Sequence, residues 1–218
     1  LAQAVGLAAP PVSRRSVGGK PCLVVQRYDR TVGPDGMVGR VHQEDFCQAM
    51  GFPPERKYQQ EGGPLLRDCI AMLREWSTAP VLDIRDFLNG VMFNMLVGNA
   101  DAHGKNYSLL YQEGDRRLAP FYDLVCTLAW PELSKTPAMK IGQSDSINAI
   151  QPAHWQKMTK EARLGWPPVR ERLAGLARAV QAALREPALC QATGDDAIFE
   201  QVADIIDKRS SSLLQALA

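Results

Sequence analysis

The sequence predicts an α+β fold that is predominantly α-helical, and three observations carry that expectation. Across residues 83–97, Phe87, Leu88, Val91, Met92, Met95 and Leu96 recur at spacings of one, three and four, the broad apolar stripe of a central core helix. Residues 107–111 and 117–122 flank Gln112-Glu-Gly-Asp115, which reads as a β-hairpin around a glycine turn beside the C-terminal end of that helix. From residue 152 to 218 the chain reads as three amphipathic helices, separated at residues 165–168 and 187–195.

Taken in order, the opening is rich in Pro and Gly, and residues 22–25 (Cys-Leu-Val-Val) read as a buried strand running into Gln26-Arg-Tyr-Asp29. Gly33-Pro-Asp-Gly36 is a strong turn signal. Residues 43–50 read as a short helix closed by Gly51 and Pro53-Pro54. A polar loop over 55–63 leads to a helix from about residue 64, where proline suits a first turn, with Leu66, Ile70, Leu73 and Trp76 on its apolar face. Phe87, Met92, Phe93 and Met95 are read as core, and Arg170, Arg172 and Arg178 as a solvated helix face.

At 218 residues the chain has room for one large or two small domains, at ~100–200 residues each. Its 45% hydrophobic and 22% charged residues fit a packed core rather than disorder. A net charge of +1 gives no bulk field for phosphate, so direct nucleic-acid binding is not expected. No apolar run approaches the ~18 residues that a bilayer requires, so no membrane association is expected. Five cysteines (22, 47, 69, 126 and 190) show no CxxC spacing and are expected as reduced, mostly buried thiols of a cytoplasmic protein. The chain opens on Leu1 rather than Met and is expected to be a fragment.

Chemistry concentrates in Asn99-Ala-Asp101-Ala-His103-Gly-Lys105-Asn106, between the core helix and the hairpin. Phosphoryl transfer needs a carboxylate to orient the acceptor hydroxyl and take its proton, and oxygen ligands for a Mg²⁺ that bridges phosphates. Asp101 and Asn106 have the five-residue separation of a kinase catalytic loop, and Asp123 follows the hairpin as a second metal-binding carboxylate. The same residues also suit a helix-terminal turn held by side-chain-to-backbone bonds. His103 reads as a loop brace in preference to a metal ligand, and Lys105 as a phosphate contact or a solvated lysine.

The motif from Asn99 to Asn106, with Tyr107-Ser-Leu-Leu110 and Leu118-Ala-Pro-Phe-Tyr-Asp123, resembles the HipA toxin serine/threonine kinases of type II toxin–antitoxin systems. Val25-Gln-Arg-Tyr-Asp-Arg30, His42-Gln-Glu-Asp-Phe-Cys-Gln48 and Lys57-Tyr with Glu61-Gly-Gly-Pro64 fall in the family's order. The resemblance is clear over residues 1–142 and weaker beyond. It implies a kinase-like C-terminal lobe over 1–218, with 1–30 as the hinge edge and end of the N-terminal lobe, and a short β-hairpin at the catalytic site. It implies that Asp101, His103 and Lys105 belong to the catalytic loop, that Asn106 and Asp123 bind Mg²⁺, and that Gln26 and Tyr28 meet the adenine of ATP. The family often has Glu and Phe at those last two positions. A protein substrate, an aminoacyl-tRNA synthetase, and a HipB-like DNA-binding antitoxin partner are implied likewise.

The Gly-rich phosphate loop and nucleotide-binding lysine that the family carries in its N-terminal half have no counterpart within these 218 residues. The fragment alone is therefore expected to be inactive. Two rival classes stay open on the residues: a non-catalytic module that binds the antitoxin or another protein, and a metal-dependent hydrolase using the same ligands.

Overall fold

The structure is a computed structural model that describes residues 1–186, 189 and 196–218. Its centre is helix α3 (Pro80–Val97). Pro80 occupies the first turn, where its missing N–H costs nothing. The helix ends where Gly98 turns left-handed at φ 76°. It begins three residues before the apolar pattern, because Ser77 Oγ receives Ala79 N–H at 2.9 Å and sets the turn before Pro80. Phe87, Met92 and Leu96 are at most 1% exposed. Each contributes ~1.5–3 kcal/mol by burial.

Helix α2 (Leu66–Trp76) lies against α3, with Cys69, Ile70 and Leu73 fully buried. On the other side α5 (Trp166–Leu184) and α6 (Asp196–Leu217) pack on one another and on α3, and α4 (Pro152–Glu161) drives Trp155 into the same core. The expected break at 165–168 falls three residues earlier, at 162–165. Trp166, Pro167 and Pro168 form the first turn of α5, since proline at a helix start costs no hydrogen bond. The expected separation at 187–195 falls on a stretch that, save for residue 189, lies outside the described residues, as does Cys190. Cys47, Cys69 and Cys126 are buried, Cys22 is exposed, and all four are free thiols.

Arg170, Arg172 and Arg178 are exposed, as expected of a solvated face. Arg172 also donates to Asn89 Oδ1 at 2.7 Å, and Arg170 to the Leu217 carbonyl. Both staple α5 to its neighbours. The hairpin begins beside the C-terminal end of α3, as expected: strand β6 (Ser108–Gln112) follows Tyr107, whose Oη receives Asn94 Nδ2, in the last turn of the helix, at 3.0 Å. Strand β7 (Asp115–Leu118) lies at the helix's N-terminal end, held by Asp83, which accepts from Arg117 and from Leu118 N–H at 2.9 Å.

The hairpin is part of a three-stranded antiparallel sheet, β5-β6-β7, because residues 42–45 are strand β5 (His42–Asp45) and not helix. Asp45 pairs with Ser108 and simultaneously caps α1 (Phe46–Ala49), accepting from Gln48 N–H at 2.9 Å while Gln48 Oε1 receives Asp45 N–H. That capping box fixes the helix start at Phe46, three residues later than the periodicity implied. The N-terminal strands form two separate ribbons, β1 (Val12–Val17) with β2 (Lys20–Val25), and β3 (Arg30–Val32) with β4 (Val38–Arg40). Residues 22–25 are thus a strand, but not a buried one. Every residue of β1 and β2 is exposed, so no element among the described residues buries either face of the ribbon.

Candidate functional site

The loop after α3 is held from three directions. Asn99 Nδ2 donates to Asn94 Oδ1 at 2.9 Å and to the Asp123 carbonyl at 3.2 Å, tying the helix end to the segment after the hairpin. Thr127 donates to the Gly98 carbonyl and accepts from Ala100 N–H at 2.9 Å. Ala138 N–H donates to the Ala100 carbonyl at 2.8 Å. These bonds satisfy backbone groups freed where the helix stops, and so fix the path of the next residues.

On this frame Asp101 is exposed and His103 buried. Asp101 N–H donates to Asn99 Oδ1 at 3.1 Å, and His103 N–H to the Asp101 carbonyl at 2.8 Å, so the backbone on both sides of the carboxylate is pinned. The side chain of Asp101 accepts from Tyr58 Oη at 2.9 Å, a partner 43 residues away. His103 lies edge-on to the Tyr58 ring at 5.4 Å, and its buried Nδ1 has no partner. Burial, then Lys57, lowers its pKa, which favours the neutral imidazole.

Asn106 closes the loop. Its Oδ1 receives His103 N–H at 3.0 Å, and its Nδ2 donates to Asp123 Oδ2 at 2.6 Å across 17 residues of hairpin. Asp123 has φ 58°, a left-handed conformation that Asp tolerates better than most residues, and its side chain is exposed. Its neighbour Tyr122 donates to the Lys105 carbonyl at 2.6 Å and bonds Ser108 Oγ at 2.8 Å. Gly104 is required for closeness: a Cβ there would lie 2.6 Å from Pro64 Cγ and 2.8 Å from Cys47 Sγ.

Asp101, His103, Lys105, Asn106 and Asp123 are therefore brought into one place. Tyr28 is linked to it at one remove. Its ring lies 6.1 Å from that of Tyr122 and its hydroxyl donates to Gln43 at 2.8 Å. Gln26 sits at the end of the β1–β2 ribbon, exposed, with its N–H on the Pro11 carbonyl, and is not gathered into the cluster. Sequence reasoning did not single out Tyr58, Asn99 or Thr127 as site residues. Tyr58 had a signal, since it stands in the Lys57-Tyr block, but its bond to Asp101 is a tertiary contact that no local spacing reports.

A helical body carrying a three-stranded sheet, with a loop and hairpin that order Asp, Asn and Asp as these do, defines a protein-kinase-like C-terminal lobe. The chain belongs to the HipA-like C-terminal domain family, whose profile matches residues 1–185. It is 50% identical over 176 residues to Y4mE of Sinorhizobium fredii, a protein bearing a kinase name, covering 81% of this chain and 42% of that one. It is 34% identical over 161 residues to the serine/threonine-protein kinase toxin HipA of Shewanella oneidensis, covering 69% of this chain and 37% of the relative. The chain thus spans less than half the length of these relatives.

Among solved structures, that of Shewanella oneidensis HipA in complex with HipB and its operator DNA superimposes with a TM-score of 0.91 at 26% identity, over 99% of this chain and 54% of that one. The Helicobacter pylori proinflammatory kinase CtkA, at a TM-score of 0.57 and 11% identity, covers 99% of this chain and 81% of that one and shares the fold. No helix among the described residues is long and apolar enough to cross a membrane.

Proposed function

We propose that this lobe supplies the catalytic loop and metal-binding side chains of an ATP-dependent serine/threonine protein kinase. The observation that carries the reading is the meeting of Asn106 and Asp123 at 2.6 Å beside the outward-facing carboxylate of Asp101. In this reading Asp101 orients the acceptor hydroxyl of a protein substrate and takes its proton. Asn106 and Asp123 hold Mg²⁺. The donor set suits it: Mg²⁺ takes few protein oxygens and completes its shell with water and phosphate. Asp123 offers an exposed carboxylate, and Asn106 Oδ1 keeps a second lone pair beyond its bond to His103. Bound Mg²⁺ supplies charge neutralisation of the phosphates.

Lys105 contacts phosphate as a compact cation, His103 braces the loop, and Tyr28 and Gln26 face adenine from the hinge. Support for Tyr28 is its half-buried ring, stacked towards Tyr122 one residue from Asp123. By family likeness the partner is a HipB-like antitoxin, the substrate an aminoacyl-tRNA synthetase, and the compartment the cytoplasm. The test is a pair of variants in the natural polypeptide that contains this chain. Asp101→Asn keeps shape and loses the base, so phosphorylation falls ~10²–10⁴-fold while Mg·ATP binds nearly normally. Asp123→Asn loses a charged ligand, so nucleotide affinity falls as well. An Asp101→Asn protein that keeps more than about a tenth of the wild-type rate sinks the assignment, since the loss expected at minimum is ~10²-fold.

A further inference from the structure

We propose that Tyr58 is a positioning residue for Asp101: its phenol holds one carboxylate oxygen so that the other faces the acceptor hydroxyl. The proposal rests on the phosphotransfer reading above. The backbone around Asp101 is fixed on both sides, but the side chain is exposed and would otherwise be free to rotate. The Tyr58 Oη–Asp101 Oδ1 bond of 2.9 Å removes that freedom. A general base works only when its lone pair is aimed at the proton, so orientation is what such a bond supplies.

Tyr58 is itself held where a positioning group must be. Gln59 N–H donates to the Ala138 carbonyl at 2.9 Å while Ala138 N–H donates to the Ala100 carbonyl, so one residue bridges the tyrosine's segment and the catalytic loop. Lys140 N–H donates to Gln59 Oε1 at 2.8 Å, a second clasp. Gly63 N–H returns to the Tyr58 carbonyl at 2.9 Å, a closure only glycine permits, because a Cβ would stand 2.5 Å from the Arg56 carbonyl oxygen. The ring meets His103 edge-on at 5.4 Å and carries the Lys57 ammonium 4.8 Å from its centre. Burial, then the Asp101 bond, raises the phenol's pKa, so it stays a donor throughout the physiological range.

Tyr58→Phe keeps the ring and its contact with His103 and removes only the hydroxyl. Measured in the natural polypeptide containing this chain, kcat for phosphorylation should fall about 10-fold with KM for ATP unchanged, the pattern of an interaction felt at the chemical step. In an Asp101→Asn background, whose residual turnover is followed with labelled ATP, Tyr58→Phe should cost nothing further, because the group it orients is gone. A Tyr58→Phe kcat within about twofold of wild type overturns the proposal. So does an undiminished loss in the Asp101→Asn background, which marks a merely structural role. If Asp101→Asn alone leaves turnover intact, the phosphotransfer reading falls with it.

Discussion

Asp83 shows how much one buried carboxylate can hold. It is 2% exposed, accepts from Ser77 Oγ at 2.6 Å, from Leu118 N–H at 2.9 Å and from Arg117 through both Nε and Nη2. One side chain thus joins the turn before α3, the helix itself and β7. Asp83→Ala would strand a backbone donor and a hydroxyl while Arg117, 41% exposed, turns to water. A loss of about 3 kcal/mol is expected, the low end for breaking a buried pair, read as a lowered urea midpoint. Asp29 makes a pH-dependent case. Arg27 first, with Arg30, holds its carboxyl down to about 2 from the ordinary 3.8. A folded pKa below the unfolded one stabilises above about 4, and the contribution disappears as pH falls from there towards about 2. The melting temperature of wild type should therefore exceed that of Asp29→Asn at pH 6, and the gap should close by pH 2; a constant gap would contradict the linkage. At this scale the sequence was legible where chemistry is local. Asp101, Asn106 and Asp123 stood out by type and spacing, whereas Asp83, Asn99 and Tyr58 act through partners that only folding brings near.

Among the elements, α3 and the hairpin were readable because a strong apolar period and a glycine turn dominate their sequences. Strand β5 was not. His42-Gln-Glu-Asp45 is polar, with no alternation to betray it, and its strand state comes from pairing with β6 far along the chain. The exposure of β2 was equally hidden, since Cys-Leu-Val-Val reads the same whether or not a layer covers it. Within α3 two effects compete at Gly90. Alanine is favoured over glycine in a helix interior by ~1 kcal/mol. Here, however, a Cβ would stand 2.4 Å from the Phe121 ring, on the segment that leads to Asp123. Overpacking of that kind costs ~1–3 kcal/mol, so Gly90→Ala should be net destabilising. It should also displace Phe121 and so weaken Mg·ATP binding in the natural polypeptide, by calorimetric titration. A stabilised variant with unchanged binding would show that Phe121 yields without cost.

For the whole molecule, the lobe divides into a well-packed helical body bearing the site and two ribbons that lack a packed face. Val12, Val17, Leu23, Val24 and Val25 on one ribbon, and Val32, Met37 and Val38 on or beside the other, are 44–73% exposed. Apolar surface gathered in this way marks a place for another body to pack. Gln26 and Tyr28, which the proposed function assigns to the hinge, follow directly on the first ribbon in the chain. Phosphoryl transfer depends almost wholly on positioning and electrostatic stabilisation, and in protein kinases a Gly-rich loop over the phosphates and a strand lysine supply much of both. Residues 1–218 contain no Gly-rich loop of the GxGxxG kind. The polypeptide of residues 1–218 should thus bind Mg·ATP weakly and transfer no measurable phosphate to protein, although Asp101, Asn106 and Asp123 are all in place. It should also bind a hydrophobic dye through the ribbons, more strongly than the natural polypeptide containing it. Labelled-ATP turnover by residues 1–218 at a rate comparable with that polypeptide would mean that the lobe positions the phosphates unaided, and that the division of labour argued from the ribbons is wrong.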